Sequence, residues 1–115
     1  MDTLNFDSPY EKQPSEQETI RIDLTQIAGS LPISGYVLSA AVITVWDQTG
    51  TEVTSSMIQG TPVVDGPNSC VYPTVKAGSD GQNYFMRIRH TWQKTANPDQ
   101  TKESDLLIQV RQKGF

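Results

Sequence analysis

The sequence predicts an all-β chain, and three observations lead there. Apolar and polar residues alternate with a period of two in several short runs, most clearly "GQNYFMRIRHTW" and "ESDLLIQVR". That period marks strands with one buried face. Turn-forming clusters such as "DQTG", "DGPNS" and "SDGQN" interrupt the runs at short intervals. No window sustains a helical period, and "LTQIAG" has room for a single turn only.

A chain of 115 residues is one domain by length. It should bury roughly 65% of its unfolded surface, enough for one core. Apolar content is 36%, below the usual ~45–50%. No stretch approaches the ~20 apolar residues of a membrane span, and the acidic start predicts no secretory signal peptide. Cys70 stands alone, so no internal disulfide is expected, in keeping with a reducing compartment. The formal charge of -4 is not that of a nucleic-acid binder, which is normally basic.

The elements follow in chain order. Residues 1–18 hold Asp2, Asp7, Glu11, Glu16 and Glu18 against Lys12 alone, so they carry the whole net charge; residues 19–115 balance. With Pro9, Pro14 and only Leu4, Phe6 and Tyr10 as large apolar groups, the segment predicts an arm that cannot offset its ordering entropy alone. "ETIRIDL" places Ile20, Ile22 and Leu24 on one face of a strand. "GYVLSAAVITVWDQTG" is a longer strand, mostly apolar on both faces, and "TEVTSSMI" predicts its hairpin partner. "GTPVVDGPNS" should follow an edge, and Pro73 should confine "CVYPTV" to an edge or bulge.

The last two runs predict a long hairpin joined by "QKTANPDQTK". Tyr84, Met86, Ile88, His90 and Trp92 share one face of its first strand; Phe85, Arg87, Arg89, Thr91 and Gln93 share the other. In its second strand Leu106, Ile108 and Val110 face one way. Six or seven short strands in this length predict an immunoglobulin-like antiparallel β-sandwich. Tyr84, just past the "SDGQN" turn, stands where a tyrosine corner bonds back to its loop. The organisation expected is therefore an acidic arm over residues 1–18 and a sandwich over 19–115.

Candidate chemistry is sparse. His90 is the one histidine and Cys70 the one thiol. A catalytic set could be assembled on paper from His90 with Ser69, Cys70 and Asp65, but no G-x-S-x-G motif supports it. The plain expectation is a hydrogen-bonded His90 at the inner end of a strand and a buried Cys70. One His and one Cys make no zinc set. Asp47, Glu52, Asp65, Asp80 and Asp99 lie near turns, yet "DQTGTE" lacks the spacing of an EF-hand loop. The expectation is no enzyme, no cofactor and no metal.

Surface chemistry is more informative. Phe85 between Arg87 and Arg89 could stack on bases or meet phosphate; it could equally be an ordinary charged face or a subunit contact. Residues 84–115 carry six bases, Arg87, Arg89, Lys94, Lys102, Arg111 and Lys113, against Asp99, Glu103 and Asp105. An acidic leader and a basic hairpin make the chain electrically bipolar. The leader is thus expected to lie across a neighbouring subunit or to wrap the chain's own hairpin. The partner-binding residues predicted are Asp7, Tyr10, Glu11, Glu16, Phe85, Arg87, Arg89 and Arg111. Trp46 and Trp92 are expected in core or rim packing.

Beyond these readings, the chain resembles the fiber-tail adaptor proteins of tailed bacteriophages over about residues 12–112. The resemblance rests on Pro14 and Glu16, on Asp23 and Leu24, and on Ser55, Ser56 and Met57 before Gly60 and Pro62. It continues through Gly81 and Tyr84 and ends in Glu103, Leu106, Ile108, Val110 and Arg111. The chain departs from the pattern in Leu24, where the family often has Trp, and in a longer final hairpin loop. The resemblance implies a non-catalytic virion protein, present in multiple copies and assembled in the host cytoplasm. It would sit at the tail or head–tail region, bound to tail, neck, fiber or capsid subunits and to neither nucleic acid nor membrane. Two other readings stay open: a capsid decoration protein, and a carbohydrate- or calcium-binding module using Trp46, Trp92, Tyr36 or Tyr72.

Overall fold

The computed structural model describes residues 3–4, 9–25 and 34–112. The first strands are β1 (Thr3–Leu4), β2 (Tyr10–Lys12), β3 (Glu18–Thr19), β4 (Arg21–Asp23) and β5 (Val37–Trp46), before the single helical turn α1 (Thr54–Met57). Next come β6 (Val63–Asp65), β7 (Cys70–Tyr72), β8 (Thr74–Val75), β9 (Asn83–Gln93) and β10 (Gln100–Val110). They form one four-stranded sheet in the order β1-β4-β7-β6, another in the order β2-β10-β9-β5, and a small sheet of β3 and β8. The chain is all-β, as its patterning predicts. Among the described residues the strands exceed the six or seven expected because "ETIRIDL" divides at Ile20, "CVYPTV" divides at Pro73, and the leader contributes β1 and β2.

The central ladder is the predicted hairpin. β9 and β10 pair antiparallel from Gln100 opposite Trp92 to Gln109 opposite Asn83. Eleven residues at a rise of ~3.3 Å give each strand a length of about 36 Å. Along β9 the burial alternates residue by residue, with Tyr84, Met86, Ile88, His90 and Trp92 inward. Leu106, Ile108 and Val110 do the same on β10, and Ile43 and Val45 on β5. A single buried cluster joins the apolar members of these sets to Ile22, Val71 and Val75 of the other two sheets and to Ile20 and Leu24, which flank β4. Tyr84 is 7% exposed, and its hydroxyl oxygen accepts the backbone N–H of Ser79 at 3.0 Å, so the predicted corner bond is present.

β5 is an edge strand with a bulge, its register slipping between Leu38 and Ala40. The Ser39 hydroxyl donates to the Thr91 carbonyl at 3.1 Å within that slip. The slip brings Leu38, Ile43 and Val45 all inward despite their mixed spacing. At one end the outer rim of β5 is occupied: Val53 N–H donates to the Val45 carbonyl at 2.8 Å, and Thr54 Oγ1 accepts from Val45 N–H at 2.9 Å. At the other end Gly66 abuts Leu38, where a β-carbon would lie 2.8 Å from the Leu38 carbonyl oxygen.

Two expectations about the strands change. "TEVTSSMI" is no hairpin strand. Beyond one bridge between Trp46 and Glu52, the Thr54 hydroxyl takes the ladder bond and the chain turns into α1, which buries Met57. β7 is not at an edge, since it lies between β4 and β6. Pro73 sits at the break between β7 and β8, its carbonyl accepting from Ile20 N–H at 3.0 Å. β6 does run along an edge, as its Gly and Pro content predicts. Most of "LTQIAG" lies outside the described residues.

The described part of the leader is built into the fold. β1 pairs parallel with β4, and β2 pairs parallel with β10, Tyr10 opposite Ile108 and Lys12 opposite Val110. Tyr10 is 5% exposed and Lys12 3%. The Lys12 ammonium donates to the carbonyls of Gln13, Pro14 and Ala77. Burial pulls its pKa down, and the Glu16 charge partly offsets this. The expectation concerns the leader alone; in the fold, β4 and β10 supply pairing to its described strands.

Two substitutions test these ties. Tyr84→Phe removes the acceptor for Ser79 N–H and should lower stability by about 1 kcal/mol in urea unfolding. Lys12→Met leaves buried carbonyls without their donor and should cost about 1–3 kcal/mol by the same measurement.

Candidate interaction surface

The β-ladder register sorts outward side chains into rows. Leu107, Phe85 and Trp46 stand side by side on β10, β9 and β5. The next row holds Asp105, Arg87 and Thr44, and the one after it Glu103, Arg89 and Val42. Phe85 is 49% exposed and Val42 62%. Period-two geometry alone puts these groups on one face, because each stands two residues from the next on its own strand.

Arg87 organises this face. Its Nε donates to Asp105 Oδ1 at 2.9 Å and its terminal nitrogen to Asp105 Oδ2 at 3.2 Å, a two-point grip. Glu103 lies 3.8 Å from the same Nε, and the guanidinium carbon lies 5.3 Å from the Trp46 ring centroid. The Asp105 hydrogen bond, then its charge, pushes the Arg87 pKa further up. Arg87 is therefore committed to carboxylates on its own sheet, which weakens the phosphate reading. Arg89 is exposed, opposite Glu103 in the register.

The predicted partner-binding residues divide. Phe85, Arg87 and Arg89 share the outer face, and Glu11, exposed on β2 opposite Gln109, borders it. Arg111 is tied down: its guanidinium donates to the Gln82 and Val110 carbonyls and to Asn83 Oδ1. Glu16 is exposed and accepts from Gln13 N–H at 2.6 Å. Tyr10 does not belong to a surface, because it is buried and its hydroxyl donates to Glu18 at 2.6 Å. Asp7 lies outside the described residues. Sequence reasoning missed Asp105, Glu103 and Leu107 as members of this face; only the register between the two hairpin strands could have placed them opposite Arg87, Arg89 and Phe85.

Other candidate chemistry is not assembled. His90 is fully buried, with Nδ1 accepting from the Trp92 indole N–H at 2.8 Å and Nε2 3.0 Å from Ser104 Oγ. Both ring nitrogens are thereby used, and neither meets Ser69, Cys70 or Asp65. The buried Cys70 thiol donates to the Asn68 carbonyl at 3.2 Å, and burial pushes its pKa up. Asp47 Oδ1 accepts from Thr49 N–H, Thr51 N–H and the Thr49 hydroxyl, which holds its pKa down. Asp80 similarly accepts from Gln112 N–H at 2.8 Å. Among the described residues no three His, Cys, Asp or Glu side chains gather as a metal set.

An open hollow of about 340 Å³ lies between Asp47, Gln48, Val53, Ser79, Gln82 and Tyr84. Three of its polar side chains are engaged: Tyr84 with Ser79 N–H, Asp47 with its own turn, and Gln48 with Asn83 N–H at 2.6 Å. The four aromatics considered for a binding groove do not converge. Trp92 is buried, Trp46 lies beside Arg87, Tyr36 lies 5.8 Å beneath the Lys94 ammonium, and Tyr72 belongs to the other sheet. No family model, curated protein or solved structure matches this chain.

Asp105→Asn weakens the two-point grip on Arg87 at an exposed site. It should shift Trp46 fluorescence while leaving the urea midpoint unchanged within error.

Proposed function

We propose that this chain is a non-enzymatic structural protein of a bacteriophage particle, an immunoglobulin-like β-sandwich acting as an adaptor at the tail or head–tail region. The observation that carries this reading is the outer face of β10, β9 and β5. It is broad, backed by a long ladder, and mixes a half-exposed aromatic with arginines, the composition favoured at protein contacts. The resemblance of residues 12–112 to fiber-tail adaptors supports the same reading and names the class of neighbour. The bond from Ser79 N–H to the Tyr84 hydroxyl supports the immunoglobulin-like assignment, while the parallel pairs β1–β4 and β2–β10 depart from a purely antiparallel sandwich.

In this role the sheet does no chemistry. Arg87, held by Asp105 and stacked near Trp46, reaches the contact already ordered, so less side-chain entropy is lost on docking. Phe85 supplies apolar area at the centre, and Arg89 and Glu11 supply polar rim.

Two measurements test the proposal. Quantitative mass spectrometry of purified particles from the producing host should find the chain as a small symmetric multiple per particle. Its absence would end the proposal, and hundreds of copies would move it to capsid decoration. Phe85→Asp should keep the native circular-dichroism spectrum and lose incorporation; normal incorporation would remove the outer face from the contact.

A further inference from the structure

The hairpin of β9 and β10 is held near its tip by one inward side chain. Trp92 is fully buried, stands between Leu38 of β5 and Gln100 of β10, and is the last such anchor; residues 93–103 are all exposed. Its only polar atom, the indole N–H, is satisfied by His90 Nδ1, the two rings meeting edge to face at 6.0 Å.

That geometry admits a single protonation state. Because Nδ1 accepts from the indole, the proton of neutral His90 sits on Nε2 and is donated to Ser104 Oγ. A second proton on Nδ1 would face the indole N–H, donor against donor, in a site closed to water.

Among the described residues, the charge that acts on His90 is that of Lys102, which opposes protonation. Lys102 stands opposite His90 in the register. β5 has no titratable side chain, and residues 26–33 contain none. On β4 Ile22 turns inward, as does Leu24 just beyond it, while Arg21 and Asp23 are half-exposed and Asp23 accepts from Thr25 N–H. Glu103, Asp105, Arg87 and Arg89 belong to the opposite face of the sheet.

We infer that His90 and Trp92 form an acid-sensitive latch: protonation of His90 breaks its bond to the indole, frees the Trp92 anchor and opens the hairpin tip while the rest of the ladder stays paired. Burial, reinforced by the Lys102 charge, holds the His90 pKa below its ordinary value of about 6.5. The latch is therefore fully closed above that value and opens as pH falls through the lower folded-state value. This inference does not depend on the adaptor reading.

The test is amide hydrogen exchange on the full chain, corrected for intrinsic rates, at about pH 7.5 and about pH 4.5. On acidification, protection at residues 91–93 and 100–102 should fall roughly tenfold more than at 84–88 and 104–108, together with a shift of the Trp92 indole resonance. His90→Gln, whose side-chain oxygen can accept from the indole but does not titrate, should abolish that difference. Uniform loss along the hairpin, unchanged tip protection, or an equal response in His90→Gln would overturn the latch. If His90→Gln does not fold, the tip-to-base ratio in the native chain decides alone.

Discussion

The ladder between β9 and β10 constrains everything around it. Its two strands run for most of the hairpin in unbroken register, so every inward position on one is matched by an inward position on the other. A slip of one residue would turn Met86, Ile88 and Leu106 to solvent and bring Arg87 and Asp105 into the core. The cost of burying those charges fixes the register more firmly than any single hydrogen bond does. The outer face inherits the same precision: Arg87 meets Asp105, and Phe85 stands between Trp46 and Leu107, because the inner face leaves no alternative.

What the sequence reveals follows from this. Strands with one dry face announce themselves by period two, so the inward set from Tyr84 to Trp92 and the set from Leu106 to Val110 are readable without coordinates. Tyr84 is readable too, because its partner is five residues away. The helical turn at Thr54 is not. "TEVTSSMI" has β-branched residues on both sides of its serines, and what diverts it is one hydroxyl oxygen that replaces a backbone carbonyl as acceptor for the Val45 N–H of β5. The outer-face ion pair is half visible: Arg87 is legible as an outward base, but its acceptor sits 18 positions away and depends on where the loop lets β10 begin.

Lys12 shows the limit of counting charges. As sequence it is a lone base among acids; in the fold its ammonium is enclosed by carbonyls, one of them from Ala77, 65 positions distant. A buried cation bonded to backbone oxygens fixes where β2 lies along β10, and charge arithmetic cannot see that role. The leader is poor in apolar groups, with only Leu4, Phe6 and Tyr10 as large ones. The missing stabilisation comes from completing a sheet rather than from its own side chains.

The plugged rim of β5 has a consequence for solubility. An uncharged strand of this length at the margin of a sheet would ordinarily template the growth of fibres by edge-to-edge addition. Here Val53 and Thr54 block one end and Gly66 crowds the other, and the Ser39 bulge kinks what remains. An incoming chain finds only residues 40–44 in line before it collides with the plugs. The β5 margin therefore resists propagation while the outer face of the same sheet stays available.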